Sequence, residues 1–160
     1  MFAEASPTIS QTVIEAAKRV PYIDDSYNSY YDFWKEWLDL KDPTEEPPIW
    51  IPGAGSDHAS FIFHAGVPVI DFWFGPDTKE HPSLAQIGYP TYHTAYETFD
   101  LVKRIVDPNF TLLSLSTKMT LSLVRDFSEN IVLGFDLEDY NMIMDSFKND
   151  AEVCTLNPFL

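Results

Sequence analysis

Histidine is the residue type here best suited to metal or proton chemistry, and the chain carries four: His58, His64, His81 and His93. A catalytic zinc takes about three protein ligands and an open position, and a two-metal site takes more, with a bridging carboxylate. His58 and His64 stand six residues apart, which on a helix places them on roughly opposite faces. His81 and His93 are separated by a loop, and no His-Glu-x-x-His pairing exists. Spacing alone therefore yields no complete metal site. Cys154 is the single cysteine, which excludes an internal disulfide and a multi-cysteine zinc module. Gly53-Ala54-Gly55-Ser56-Asp57 is not the Gly-x-Ser-x-Gly elbow of serine hydrolases. Such a turn can cradle an anion, although its commoner role is to let the backbone bend. The run Gly88-Tyr89-Pro90-Thr91-Tyr92-His93-Thr94-Ala95-Tyr96-Glu97-Thr98 differs in kind, gathering three tyrosines, a histidine and a glutamate around a helix start.

Together with Gly53 to Asp57, that run resembles the glutamate carboxypeptidase II family of co-catalytic zinc peptidases, which includes the N-acetylated-alpha-linked acidic dipeptidases and the transferrin receptor relatives. Tyr-Pro-Thr-Tyr-His-Thr-Ala is closer to the dipeptidase-like branch. The resemblance continues through Asp107-Pro108-x-Phe110 to Ile131–Asp136 and Asp139-Tyr140, and more weakly covers Ser29 to Trp34. It implies that His93 is a zinc ligand. Tyr92 matches the tyrosine whose hydroxyl stabilises the developing oxyanion, and Ala54, Gly55 and Ser56 match the stretch lining the substrate cleft. Two arginines that form an anion-binding patch in glutamate-directed members are here Asp71 and Trp73, which disfavours an acidic substrate residue at that subsite. The resemblance also implies two zinc ions in the complete enzyme, with the other four ligands and the glutamate general base preceding Met1. The expected activity is hydrolysis of short peptides by a homodimeric, cell-surface or extracellular parent of type II membrane topology, and the isolated chain is expected to be inactive. The alternative is a non-catalytic transferrin receptor-like binding or dimerisation module.

The elements that must position these residues follow from periodicity and punctuation. Ser6 to Val20 reads as a helix, with Ser6 as cap, Pro7 in the first turn and Ile9, Val13, Ala16, Ala17 and Val20 at helical spacing. Ser29 to about Leu40 reads as a second, with an aromatic stripe from Tyr30 to Trp37 that is most economically core. Lys41 to Pro48 holds three prolines and three acids in eight residues, a surface loop. Ile49 to Ile51 and Val67 to Phe74 predict buried strands around a helix over Asp57 to Ala65, with Gly66 as its C-cap, hence a βαβ unit. Ligands bind such units beyond the carboxyl ends of the strands, at Gly53 to Asp57 and after Phe74. Gly75 to Thr94 is a long loop of the kind that carries function. Ala95 to Val106, Pro108 to about Val132 and Leu137 to Lys148 predict three further helices. Asp57 suits a helix N-terminus, His58 and His64 read as ordinary helix side chains, and Tyr96 and Glu97 as anchors of the His93 loop. Asn109-Phe110-Thr111 fits an N-glycosylation acceptor.

The chain has 160 residues, enough for one domain. Its 45% hydrophobic and 15% aromatic content supports a real core and excludes disorder. A formal charge of −15 opposes binding to nucleic acid. No apolar run reaches membrane-helix length, and Met1 to Ser10 lacks signal-peptide character. The expectation is an α/β fold, a three-layer zinc-peptidase-like mixed sheet flanked by helices but incomplete. Residues 1-134 would form the C-terminal part of the catalytic domain, and residues 135-160 would begin the helical dimerisation domain. Strands left without neighbours would expose edges, so self-association of the isolated chain is expected.

Overall fold

The computed structural model describes residues 1–87, 89–141, 143–145 and 147–148. It is a small mixed helix and strand domain built on strand β1 (Phe2–Ala5), helix α1 (Ser10–Arg19), helix α2 (Tyr30–Trp37), strand β2 (Ile70–Trp73), the short helices α3 (Leu84–Ile87) and α4 (Phe99–Leu101), and the long helix α5 (Thr111–Glu129). A 3-10 turn over Pro7–Ile9 leads into α1, and π-helical turns occupy Phe61–Ala65 and Val102–Val106.

Hydrophobic burial explains the arrangement. α1 touches β1, α2 and α5, and its Val13, Ile14, Ala16 and Ala17 are all buried. Small alanines on this face let the neighbouring elements approach closely, and Tyr30 and Trp34 of α2 fill the space on one side. From α5, Leu115, Met119 and Leu123 close the core at i, i+4 and i+8. The same helix leaves Leu113, Leu121 and Val124 exposed, so only one stripe of its apolar surface is covered within the chain.

Two local devices set the helix boundaries. Ser29 and Asp32 form a reciprocal capping box at the start of α2, Ser29 Oγ accepting from Asp32 N–H at 3.2 Å and Asp32 Oδ2 accepting from Ser29 N–H at 3.1 Å. The helix ends at Trp37, short of Leu40, because Asp39 adopts a left-handed φ of 62°. At α5, buried Asp107 accepts from Thr111 N–H at 2.7 Å and Leu113 N–H at 2.9 Å. Phe110 lies in the left-handed region at φ 54°, so the helix starts at Thr111, not at Pro108, and Asp107 satisfies its first amides. Ser6 departs from the expected cap. Its hydroxyl accepts from Val69 N–H at 3.0 Å and its own N–H donates to Val69 O at 2.9 Å, tying the approach to α1 onto the approach to β2.

The expected βαβ unit does not form. β1, which the sequence reading did not foresee, inserts between the two expected strands and pairs antiparallel with β2 in the register Phe2↔Trp73, Ala3↔Phe72, Glu4↔Asp71 and Ala5↔Ile70. On its other side Trp50 makes a parallel bridge, with Ala5 N–H donating to Trp50 O at 2.9 Å and Trp50 N–H to Ala3 O at 3.0 Å. The Ile49–Ile51 and Ile70–Trp73 segments therefore run opposite ways, and their carboxyl ends point to opposite ends of the sheet. Neither is fully buried, as Trp50, Ile51 and Trp73 are all exposed. One face of the sheet carries an aromatic row, with Phe2 stacked between Trp50 and Trp73 at 5.8 Å from each. Residues 138–141, 143–145 and 147–148 are helical, in line with the expected helix there. Asp136 N–H donates to Thr8 O at 2.9 Å, and Ser10 Oγ meets the Asp139 carboxylate, which brings this segment back to the start of α1. Cys154 lies outside the described residues.

Candidate functional site

The Tyr89 to Glu97 segment is a chain of tight turns and not a helix start. Tyr92 N–H donates to Tyr89 O at 3.1 Å, Thr94 N–H to Thr91 O at 3.1 Å, and Glu97 N–H to Thr94 O at 3.2 Å. Thr94 Oγ1 reinforces the bend by donating to Thr91 O at 2.7 Å while accepting from Tyr96 N–H at 3.2 Å. The helix expected from Ala95 starts only after Thr98, whose hydroxyl caps α4 by accepting from Leu101 N–H at 3.3 Å.

Within these turns His93 is held at a left-handed φ of 58°. This conformation is uncommon for a residue with a side chain and concentrates at functional positions. Glu97 fixes it, its Oε2 accepting from His93 N–H at 3.2 Å, the anchoring role expected for that residue. The rings of Tyr92 and His93 stack with centroids 3.8 Å apart and planes at 21°. Both side chains face solvent, Tyr92 being 60% exposed. The phenol and imidazole are thus presented together on a rigid bend, with ring atoms free to meet a third group.

The Gly53 to Asp57 turn is the second element of the expected site. Ala54, Gly55 and Ser56 are exposed. No side-chain bond from Asp57 caps the turn that follows, and helical backbone begins at residue 59. Gly66 ends that helix with a φ of 63°, the expected C-cap. The turn is held instead by His58, whose Nε2 donates to Gly53 O at 2.9 Å. The other ring nitrogen, Nδ1, lies 3.3 Å from Asp71 Oδ2 on β2. This contact was not legible in the sequence, because it joins a turn to a strand thirteen positions on, which no spacing rule links. Among the described residues no hydrogen bond joins this turn to the Tyr92–His93 bend. The two halves of the expected site are each formed locally, and no direct bond couples them.

A di-zinc centre does not fit the donors present. Among the described residues no group of three or more histidine, cysteine, aspartate or glutamate side chains could hold a metal ion. His93 has Tyr92 as its ring neighbour, and His58 Nε2 is spent on Gly53 O. The long loop after β2 is ordered locally by Asp77, whose carboxylate accepts from Lys79 N–H at 2.8 Å and Glu80 N–H at 3.2 Å and is held below the usual carboxylate range by those bonds. Among the described residues no helix is long and apolar enough to cross a membrane.

Comparison with known proteins bears on both turns. No family model matches the chain. The aminopeptidase NAALADL1 of Rattus norvegicus is 31% identical over 152 residues, 94% of this chain and 20% of the relative. The glutamate carboxypeptidase 2 homolog of Caenorhabditis elegans is 31% identical over 90% of this chain and 19% of its own length. A probable glutamate carboxypeptidase, LAMP1, of Arabidopsis thaliana is 28% identical over 94% and 20%. The chain thus spans about one fifth of the length of the curated relatives it matches. With similarity running nearly from end to end across animal and plant relatives, the chain belongs, as a segment, to the glutamate carboxypeptidase II and N-acetylated-alpha-linked acidic dipeptidase-like family of peptidases.

Proposed function

We propose that this chain is the part of a zinc-dependent peptidase that supplies the oxyanion-stabilising tyrosine, Tyr92, one metal ligand, His93, and a peptide-lining turn, Ala54 to Ser56. The single observation that carries this reading is the Tyr92–His93 pair. Its two rings are stacked 3.8 Å apart on a bend whose left-handed histidine is braced by Glu97. A hydroxyl fixed in this way can donate to an oxygen that gains negative charge when a peptide carbonyl is attacked, and such donors contribute about 3–4 kcal/mol to acyl-transfer barriers. Zinc would supply Lewis-acid activation in the complete enzyme. The described residues offer it one donor, so a working centre requires donors beyond them.

The substrate class follows from the same residues. By the resemblance, Asp71 matches a position where glutamate-directed members carry an arginine, and it lies 3.3 Å from His58 at the base of the Gly53–Ser56 turn. A carboxylate there favours peptides with a neutral or cationic residue over those with an acidic one. Residues 1-134 belong in this proposal to the catalytic layer, a three-layer sheet assembly, and residues 135-160 to the start of a helical dimerisation region. The experiment is to assay peptidase activity after joining this segment to the amino-terminal portion of the rat NAALADL1 relative. The chimera should hydrolyse neutral dipeptides, Tyr92→Phe should reduce turnover by about a hundredfold or more, and His93→Ala should reduce zinc occupancy. A folded chimera whose turnover is unchanged by Tyr92→Phe contradicts the assignment.

A further inference from the structure

We propose that His58 is a positioning residue, fastening the Gly53–Ser56 turn through the Gly53 carbonyl and so fixing the surface on which a peptide would lie. The inference rests on the reading of that turn as peptide-binding. Three observations meet at this side chain. The Gly53 carbonyl can only accept, so His58 Nε2 carries the hydrogen of their 2.9 Å bond. That choice leaves Nδ1 turned to Asp71 Oδ2 at 3.3 Å, and the ring spans from the turn to the strand. The side chain is only 10% exposed, in a region where Ala54, Gly55, Ser56, Phe61 and Phe63 are all exposed.

Glycine at positions 53 and 55 has open space around it and imposes no conformation, and among the described residues the hydrogen bonds that tie the turn down are His58 Nε2 to Gly53 O and Ala59 N–H to Ser56 O at 3.0 Å.

The test is the backbone order parameter of Ala54, Gly55 and Ser56, measured by 15N relaxation on the 160-residue chain. Wild type should show values near about 0.85, and His58→Ala should lower them below about 0.6 while Ala16 and Ala17 of α1 stay rigid. His58→Gln, whose carboxamide can still donate to Gly53 O, should restore part of the loss. His64→Ala, an exposed ring on the π-helical turn that follows, should leave the values unchanged. Unchanged order parameters in His58→Ala, or an equal loss in His64→Ala, overturn the fastening role. Titration with trialanine examines the underlying reading separately. Amide shifts at Ala54 to Ser56 that need at least tenfold more peptide in His58→Ala support the positioning role. Absence of any shift in wild type, with order lost in His58→Ala, overturns the peptide-binding part and leaves the fastening standing.

Discussion

Two regions of this chain obey different physical rules. In the first, β1, α1, α2 and one stripe of α5 bury Ala3, Val13, Ile14, Ala17, Tyr30, Trp34, Leu115 and Met119 to 2% exposure or less. In the second, residues 51 to 106, Pro52 is the one buried residue among those described, and Phe61, Phe63, Tyr92, Tyr96 and Phe99 stand more than half exposed. The family motifs lie in the second region. Apart from β2, which pairs with β1 and packs Ile70 and Phe72 against the core, its turns are held by short-range hydrogen bonds, such as His93 to Glu97 and His58 to Gly53.

Ways to break this contrast can be ranked by size. Trp34→Ala should cost about 3–5 kcal/mol, whereas Tyr92→Ala, at an exposed site, should stay within about 0.5 kcal/mol. Urea unfolding of the two variants measures the difference, and similar midpoints would show that the second region is packed after all. Asp107→Ala should cost about 2 kcal/mol, since a buried carboxylate caps two amides of α5 that would be left without partners. Helical circular dichroism during thermal unfolding reads it, and a melting temperature equal to wild type would deny the cap. A pH effect comes next. Burial lowers the Met1 amine from 8.0 to about 6 in the folded chain. Between these values the unfolded chain holds the extra proton, so stability rises as pH increases from 6 to 8, by about 2 kcal/mol at most. Nα-acetylation should abolish that slope. The exposed apolar stripe of α5 and the outer edge of β2 should also drive self-association, visible in light scattering, and a monodisperse monomer would contradict it.

The sequence was most legible where burial and punctuation agree. Val13, Ala16 and Ala17 marked the inner face of α1, and Gly66 marked a helix end, each through a local pattern. Boundaries failed where side chains override propensity. Asp107 moved the start of α5 to Thr111, and Thr98 moved the start of α4 to Phe99. The larger miss was β1. Phe2 to Ala5 is four residues with two alanines, carries no strong strand signal, and yet takes the central place in the sheet through non-local pairing with Trp50 and β2. The same non-locality hid the His58–Asp71 contact, because no spacing rule links a helical turn to the strand behind it.

The proposed function gives this chain one part of a zinc peptidase site and not a whole one. Metal analysis of the purified 160-residue chain after equilibration with zinc, paired with a dipeptide hydrolysis assay on the same sample, tests it most directly. The account predicts substoichiometric zinc and no turnover above the buffer rate. Stoichiometric zinc retained through dialysis, with dipeptide turnover lost on Tyr92→Phe, would contradict it.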